Sequence, residues 1–368
     1  MVLALCLWVI GPITAETAAE TGGNPEEFYG RRICEIEVRG NSRSLDSTVK
    51  RISDIEAGSF LNEGALAQAR INLKKSGLFA EVDIKAADCR PDAAGADGDN
   101  AVRLILEVED KWTLIPVPFF SSDGESVMGG LVVIESNLLG TGKQLISGAM
   151  GGTDGLSGFA VFADPALLRS NYQFSLSLSG GVGEEEIATP DGKTALTFDS
   201  DSYGGSFSLG YRFSNRFTAG FRARIEQHQL GDISGPAAAG FSSAQLSDEI
   251  GESQQQLGLQ ARYDATVPYG SLLKGFETAA RASYSLVLDE PTVDAQAALN
   301  LPTTAGQRLR LLAAGGYGQR LVISEEPVSG RDGFRTLPFG KATADHYWST
   351  ALAYDVPVLT QEWGAMVI

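Results

Sequence analysis

The sequence has few of the residues that most enzymatic and metal sites require. It contains two histidines, His228 and His346, and three cysteines, none of them in a C-x-x-C pair. Two histidines are too few for a histidine-rich metal site, and the cysteine spacing is not that of a zinc site. There is no G-x-S-x-G nucleophile elbow. We therefore expect no catalytic site, no metal and no cofactor.

Basic residues are also scarce, and long apolar runs are missing after the start of the chain. The 368 residues include 29 Lys and Arg against 46 Asp and Glu, a net charge of −17, which argues against nucleic acid as a partner. No apolar run of about 18 residues follows residue 15, so no transmembrane helix is predicted there. The mean hydropathy is near zero and glycine is abundant. Both are compatible with a membrane β-barrel, whose apolar and polar faces alternate along each strand.

The first 30 residues carry no pattern of a folded domain. Residues 1–15 are apolar and end in small residues, as in the core and cleavage region of a secretory signal peptide. The first basic residue is Arg31, so the basic region of a signal is missing and we expect the true start to lie upstream. Residues 16–30 are polar, contain Gly and Pro, and are predicted to be a linker.

Residues 31–110 mix helical and strand patterns. Alternation predicts a strand over Arg32–Val38, with Ile33, Glu35 and Glu37 on one face. Apolar spacing predicts two helices, and two further strands follow. The predicted helices are Leu45–Ile55 and Glu63–Ser76, and the later strands are Glu81–Ala86 and Val102–Val108. This order predicts a small α+β domain with two helices on one face of a sheet.

Two cysteines, Cys34 and Cys89, remain after the predicted signal peptide. In an oxidising compartment they could be bonded or could stay separate, half-buried thiols. Spacing alone does not show whether their Cα atoms come within bonding range.

From residue 111 the chain changes to period-two alternation in segments of about ten residues. Such segments, apolar on one face and polar on the other, are typical of transmembrane β-strands. Twelve strands are predicted, over 112–120, 127–136, 143–152, 156–163, 171–182, 203–213, 216–228, 255–264, 275–288, 292–301, 306–324 and 344–356. The long polar connections 183–202, 229–254 and 325–343 are predicted to be extracellular loops. A soluble β-sandwich, whose strands also alternate, is the alternative.

A turn near the start of this region carries a distinctive motif. In Ser136–Leu145, SNLLGTGKQL, the glycines Gly140 and Gly142 allow positive φ in a tight hairpin. The G-T-G-K stretch is not a phosphate loop, because Asn137 stands where the Walker pattern needs Gly and Gln144 follows the Lys.

Residues 31–110 resemble a POTRA domain, the polypeptide-transport-associated module. The resemblance rests on Val38-Arg39-Gly40-Asn41 at the end of the first strand, on Gly58, and on Gly77-Leu78-Phe79 followed by Val82. It implies periplasmic recognition of unfolded client chains by strand addition to an exposed sheet edge. The edge residues it implies are Glu81, Val82, Asp83 and Ile84.

Residues 111–368 resemble the barrel of the BamA/TamA outer-membrane assembly superfamily. Asn137, Gly140 and Gly142 match its early barrel hairpin, and Gly330–Gly340 stands where the family has an Arg-Gly-aromatic motif on a loop folded into the barrel. Within that loop the candidate residues are Gly333, Phe334 and Arg335; one alignment places the family Arg on Arg335, and a rival alignment uses Asp332-Gly333-Phe334 and loses the Arg. The resemblance implies sixteen strands, of which about twelve are present, so we expect the natural protein to continue past Ile368.

The resemblances imply a Gram-negative outer-membrane protein with its N-terminal domain in the periplasm. Its expected function is to insert or export client proteins by β-strand templating without ATP. The expected partners are unfolded outer-membrane or secreted proteins, outer-membrane lipid, and accessory periplasmic or lipoprotein subunits. Two alternatives stay open: a dedicated secretion channel or passive pore for one partner, and a soluble β-rich binding protein.

Overall fold

The computed structural model describes residues 22–89, 101–122, 127–153, 155–188, 194–235, 253–270, 272–303, 306–318, 326–327, 343–344, 346–361 and 364–367. The predicted signal peptide, residues 1–15, lies outside these ranges. Among the described residues no helix has the length and apolar character needed to cross a membrane.

The N-terminal part is a small α+β domain in the predicted order. Its elements are β1 (Arg32–Arg39), α1 (Asp46–Ser53), α2 (Glu63–Lys75), β2 (Phe79–Asp88) and β3 (Ala101–Asp110). β3 is the central strand of the sheet, parallel to β1 and antiparallel to β2. The core lies between the helices and the sheet and includes Val49, Leu66, Leu73, Ile84 and Leu104, all at most 2% exposed.

The ends of the two helices follow from local side-chain chemistry. The Asn62 side chain accepts a hydrogen bond from Ala65 N at 2.8 Å and so caps the start of α2. Gly77, just after the end of α2, has φ +74°, a left-handed conformation in which glycine carries no steric penalty. α1 ends at Asp54, which is also left-handed, with φ 60°.

The strict alternation predicted for β1 is wrong. The register with β3 shifts between Ile33 and Glu35, because Cys34 forms a β-bulge. As a result Ile33 and Ile36, three residues apart, are both buried in the core, at 1% and 7% exposure.

The described part of the predicted linker is folded against the small sheet. Pro25–Phe28 forms a 3₁₀ turn capped by Asn24, whose side chain accepts from Glu26 N. Gly23 forms an antiparallel bridge with Ala86 of β2. The segment therefore belongs to the N-terminal domain.

The rest of the described chain is dominated by one antiparallel sheet, which is not closed. Thirteen of the described strands belong to it, and β4 and β18 form its two ends. Its strands are β4 (Leu114–Ser122), β5 (Val127–Leu138), β6 (Lys143–Gly152), β7 (Gly155–Asp164), β8 (Tyr172–Ala188), β9 (Thr194–Arg212), β10 (Phe217–Ser234), β11 (Ser253–Asp264), β12 (Val267–Tyr269), β13 (Leu272–Ser285), β14 (Glu290–Pro302), β15 (Arg308–Tyr317) and β18 (Tyr347–Asp355). Two separate strand pairs are β16 (Glu326–Pro327) with β17 (Thr343–Ala344), and β19 (Pro357–Gln361) with β20 (Gly364–Val367). Each of the twelve predicted strands overlaps one long strand.

The loop predicted over 183–202 is mostly strand. β8 continues to Ala188 and β9 starts at Thr194, and Gly183–Ala188 pairs with Thr194–Ser200. β10 likewise runs to Ser234. Both faces of an extended hairpin can be solvated, so its strands can have the polar composition of a loop. This is why these segments were predicted as loops.

The two faces of the sheet differ in chemistry. On what we call the aromatic face, rings form a ladder across β7 to β10, with centroids 5.8–6.5 Å apart. The ladder residues are Phe162, Phe174, Phe207 and Phe221. A second group, Tyr172, Tyr211, Phe213 and Phe217, lies near the turns, with centroids 5.0–5.7 Å apart. Apolar side chains on this face are well exposed, Trp348 at 81% and Leu352 at 67%.

Candidate functional site

The open edge of β2 is the first part of the candidate site. β2 lies at the end of the small sheet. Ala86 exchanges both backbone hydrogen bonds with Gly23, at 2.8 and 3.2 Å, so its N–H and C=O point away from β3. Because this direction alternates along an antiparallel strand, the backbone groups of Val82 and Ile84 also point outward. The backbone groups of Glu81 and Asp83 point toward β3.

One outward backbone group on this edge is already occupied. Ile84 N donates to the Asp83 carboxylate at 2.9 Å. Val82 and Ile84 direct their side chains to the core, whereas Glu81 and Asp83 are exposed. β3 pairs with one edge of Val82–Ile84, and among the described residues no strand pairs with the outer edge. An added strand would therefore find backbone donors and acceptors flanked by carboxylates.

A cross-strand ion pair stabilises the same end of the sheet. The Lys85 ammonium donates a hydrogen bond to the Glu107 carboxylate, which raises the pKa of Lys85 above its ordinary value. This pair joins β2 to β3 and uses no backbone group on the outer edge of β2.

The second part is the junction, where the N-terminal domain contacts the β5–β6 turn. Gly140 O accepts hydrogen bonds from Leu45 N at 2.9 Å and from Thr48 Oγ1 at 2.8 Å. Thr141 O accepts from the Arg51 guanidinium at 3.0 Å. The start of α1 is thus bonded directly to the turn.

Asn137 connects the two halves of the junction. Its Nδ2 donates to Ser44 Oγ at 2.9 Å, and its Oδ1 accepts from Gly142 N at 2.8 Å. Ser44 Oγ in turn donates to Asp110, whose carboxylate also accepts from Arg43 N and Ser44 N at 2.7 and 3.0 Å. Ser44 and Asn137 are 4% and 5% exposed. A buried network with every member bonded fixes one orientation of the two parts.

The turn needs glycine at position 140 for two reasons. Gly140 has φ +73°, and a Cβ there would lie 2.3 Å from Arg43 O. The backbone conformation and the close approach of the N-terminal domain therefore both require the absence of a side chain. Gly142 also has positive φ, at +70°. The tight hairpin predicted from these glycines is present.

Two further contacts join the domain to other turns of the large sheet. Lys75 Nζ lies 2.8 Å from Asp264 Oδ1 and donates to Thr266 O at 3.1 Å. Asn215 Nδ2 donates to Asp54 Oδ2 at 3.2 Å. The domain thus spans the turns after β5, β9 and β11.

The third part is a cavity of about 1010 Å³ on the face of the sheet opposite the aromatic rings. We call this the cavity face. Its wall on β8 to β10 is polar and includes Ser175 and Ser208, which are bonded at 2.7 Å. Beyond the cavity lining the same face continues with Ser177 and Ser206, also bonded at 2.7 Å. Lys75 contributes to the lining, so the N-terminal domain borders the cavity at the turn end.

The cavity face is not polar throughout. On β4 to β7 the side chains of this face are apolar and follow the cross-strand register. They include Ile115, Val117, Val132, Ile134, Ile146 and Val161. The alternation pattern predicted one polar face along every strand. It did not predict this apolar part, because both faces of β4 and β5 are apolar and neither stands out as polar.

The remaining predicted site residues fall into two groups. Gly333, Phe334 and Arg335 lie outside the described residues, so their role stays a prediction. Cys34 and Cys89 are joined in a disulfide in the structure, with Cα atoms 6.4 Å apart. It links the bulge of β1 to the end of β2, on either side of the central strand.

The sequence did not predict the residues on the domain side of the junction. Ser44, Thr48 and Asp110 lie in short polar stretches with no motif of their own. Their partners are 66 to 93 residues away along the chain. Only the motif on the turn side, Asn137 with the two glycines, was visible locally.

Comparison with known proteins identifies the fold of the large sheet. No family model matches the chain, and no curated protein matches it. The solved structures that are similar over 90% of this chain include the following three. BamA from Haemophilus ducreyi lacking POTRA domains 1–3 is 14% identical, with a TM-score of 0.55. CdiB from Acinetobacter baumannii is 16% identical, with a TM-score of 0.58, and CdiB from Escherichia coli is 11% identical, with a TM-score of 0.61.

The match covers 69% of the BamA chain and 61% and 63% of the two CdiB chains. At these identities the likeness shows the fold alone. The large antiparallel sheet therefore has the fold of the BamA and CdiB barrels, and it carries a small α+β domain docked on its turns.

Proposed function

We propose that this chain acts in the outer membrane to assemble or transport other proteins. The likeness to BamA and CdiB supports this function, as does the exposed aromatic face. A soluble protein rarely exposes a continuous apolar surface of this extent, whereas lipid-facing strands require it. In this proposal the aromatic face contacts lipid and the cavity face contacts water and client.

The N-terminal domain acts as a periplasmic POTRA domain in this proposal. Its order of elements and its Gly-Asn, Gly58 and Gly-Leu-Phe motifs support the assignment. The observation that carries the function is the open edge of β2, held by the junction at the turn end of the barrel-type sheet. An extended client segment would pair with the outward backbone groups of Val82 and Ile84.

The next step of the proposed mechanism takes place at the ends of the large sheet. β4 and β18 are the end strands of this sheet among the described residues. Unpaired strand edges are unstable in hydrocarbon and pair readily with another strand. Client strands would pair there before release into lipid, and this step needs no ATP. Accessory subunits would bind the periplasmic side.

A dedicated secretion channel or passive pore is the second candidate. The polar wall of β8 to β10 and the cavity of about 1010 Å³ favour it. A channel moves its partner through the cavity, whereas an assembly factor leaves its client in the membrane. An assay that separates inserted from translocated client therefore distinguishes the two.

The test of the proposed function uses the full chain in liposomes with an unfolded outer-membrane β-barrel client. We expect the chain to speed client insertion, and Val82→Pro to remove most of this gain. Proline deletes the outward N–H of residue 82 and leaves the β2–β3 ladder bonds in place. Val82→Ala, which keeps the N–H, is the matched control.

The client's protease protection and its heat-modifiable gel migration report insertion. Equal insertion rates with and without the chain would overturn the proposal. If Val82→Pro inserted client as fast as the unchanged chain, strand addition at β2 would be wrong.

A further inference from the structure

The end strand β4 contains two prolines that are two residues apart. β4 (Leu114–Ser122) has the sequence LIPVPFFSS, in which Pro116 and Pro118 are both exposed. Proline has no backbone N–H, so within a sheet it is confined to positions where the ladder does not need that donor. The effect of the two prolines therefore depends on the direction in which their backbone groups point.

One backbone hydrogen bond fixes this direction. Ser136 N donates to Thr113 O at 3.3 Å, so residue 113, just before β4, points its carbonyl toward β5. The direction alternates along an antiparallel strand, and the register of β4 with β5 runs without a shift. The odd residues of β4 thus bond to β5, and the even residues point their backbone groups outward. Pro116 and Pro118 are both even.

The middle of the outer edge of β4 therefore accepts hydrogen bonds but cannot donate them. An added strand can donate to the Pro116 and Pro118 carbonyls, but its own carbonyls opposite the two prolines find no donor. This holds for either direction of the added strand. An unsatisfied carbonyl is costly in a membrane, because no water replaces the missing donor. Among the described residues no strand pairs with this edge.

The other end of the large sheet differs from β4. β18 (Tyr347–Asp355) contains no proline, so every outward residue of that strand can both donate and accept. β4 in turn exposes apolar side chains on both of its faces, with Ile115 and Val117 at 40% and Phe120 at 73% exposure. An exposed apolar edge readily attracts another strand, and proline on an edge opposes pairing. β4 thus combines an attractive surface with an incomplete set of hydrogen bonds.

We propose that Pro116 and Pro118 make β4 a release edge, which binds a client β-strand for a short time and then releases it. This inference rests on the proposed function and concerns the regulation of its pairing step. The apolar side chains of β4 attract the client strand, while the two missing donors keep this pairing weaker than the pairing of two complete strands. A second client strand, which offers a donor at each outward position, would therefore displace β4.

The test measures how long a strand peptide stays on β4 of the full chain in detergent micelles. The probe is a (Thr-Val)₄ peptide flanked by lysines, with a fluorescein label and a central photoreactive benzoylphenylalanine. Illumination at intervals after a chase with unlabelled peptide, followed by mass spectrometry of the adducts, gives the dissociation half-time at β4. We expect Pro116→Val/Pro118→Val to lengthen this half-time by about tenfold or more, since two donors are restored. Phe120→Pro, which removes a further outward donor, should shorten it.

Two controls separate the amides from the side chains. Pro116→Ala/Pro118→Ala restores the same two amides with smaller side chains and should also lengthen the half-time. Ile115→Val/Val117→Ile changes side chains on the same strand, adds no outward amide, and should leave the half-time nearly unchanged. Adducts on β2 and β18 serve as internal controls, because their half-times should be the same in every variant.

An unchanged half-time in both proline variants would overturn the proposal, and so would a longer half-time in the valine variant alone. Glutaraldehyde cross-linking reports pairing between copies of the chain. If the proline variants formed dimers without holding the peptide longer, the prolines would prevent self-pairing instead, and the proposal would be wrong. Heat-modifiable migration checks that each variant folds. The peptide assay involves no client insertion, so its failure and the failure of the proposed function are distinguishable.

Discussion

At the scale of single residues, the junction depends most on Gly140. The backbone there is left-handed, and the Arg43 carbonyl occupies the space where a side chain would begin. Gly77 has almost the same φ, but no atom lies within 4 Å of its missing Cβ. Substitutions at these two glycines therefore distinguish the cost of backbone strain, which both share, from the cost of steric contact, which only Gly140 has.

We expect Gly140→Ala to destabilise the docked N-terminal domain by about 1–3 kcal/mol, and Gly77→Ala by about 1 kcal/mol. Urea unfolding followed at 222 nm measures this, because both described α-helices lie in that domain. If the two variants lost the same stability, the contact with Arg43 would not contribute to docking.

The edge of β2 depends on a second single residue, Asp83. Its carboxylate accepts a hydrogen bond from Ile84 N. Without this bond, the Ile84 N–H would be available to donate to an added strand. We expect Asp83→Ala to increase the affinity for an extended client peptide two- to fivefold, since one more backbone donor becomes available.

The matched control for this variant is Glu81→Ala, which removes the same charge from the same exposed strand without releasing an amide. Fluorescence anisotropy of a labelled client peptide gives both affinities. A gain of equal size in Glu81→Ala would mean that charge alone, and not the released amide, sets the affinity.

At the scale of elements, the strands could be predicted because alternation dominates their sequences. Phe207, Leu209 and Tyr211 share the aromatic face, as predicted, and Ser206, Ser208 and Arg212 share the cavity face. The bulge at Cys34 and the strand character of residues 183–188 were not predictable. A bulge breaks the period on which the prediction depends, and a solvated hairpin has the composition of a loop.

A pair of neighbouring positions on β8 tests the assignment of the two faces. Leu178 lies on the aromatic face and Ser179 on the cavity face, and both are exposed. We expect Leu178→Arg to destabilise the membrane-inserted chain by about 2–4 kcal/mol and Ser179→Arg to have little effect. Heat-modifiable migration after reconstitution, over a urea series, reports the difference. Equal effects at the two positions would contradict a lipid-facing aromatic face.

At the scale of the whole molecule, the docking of the two parts could not be predicted. The hydrogen bonds from Thr48 to Gly140 and from Asn215 to Asp54 join residues 92 and 161 positions apart. Each side of such a contact is an ordinary polar residue in its own segment. Only the folded chain brings them together, so local patterns could identify the turn motif but not its partner.

The docking geometry is testable by cross-linking. Because the side chains of Asp54 and Asn215 are hydrogen-bonded at 3.2 Å, the variant Asp54→Cys/Asn215→Cys should be joined by a short bismaleimide cross-linker. Asp54→Cys/Leu168→Cys is the control, since Leu168 is 90% exposed on a different turn and should not cross-link. Mobility on a non-reducing gel distinguishes the products. Equal cross-linking of both pairs would mean that the domain swings freely.

The bridge between Gly23 and Ala86 sets the length of any strand that β2 can accept. A register shift between Phe79 and Glu81 interrupts β2 on one side, and Gly23 occupies the edge at Ala86 on the other. Between them only the backbone groups of Val82 and Ile84 point outward, and Ile84 N already donates to Asp83, so an added strand forms at most about three backbone hydrogen bonds. Each bond contributes only about 1 kcal/mol net. The short open edge therefore limits the affinity of β2 for an added strand. A client that binds there would exchange rapidly instead of staying bound.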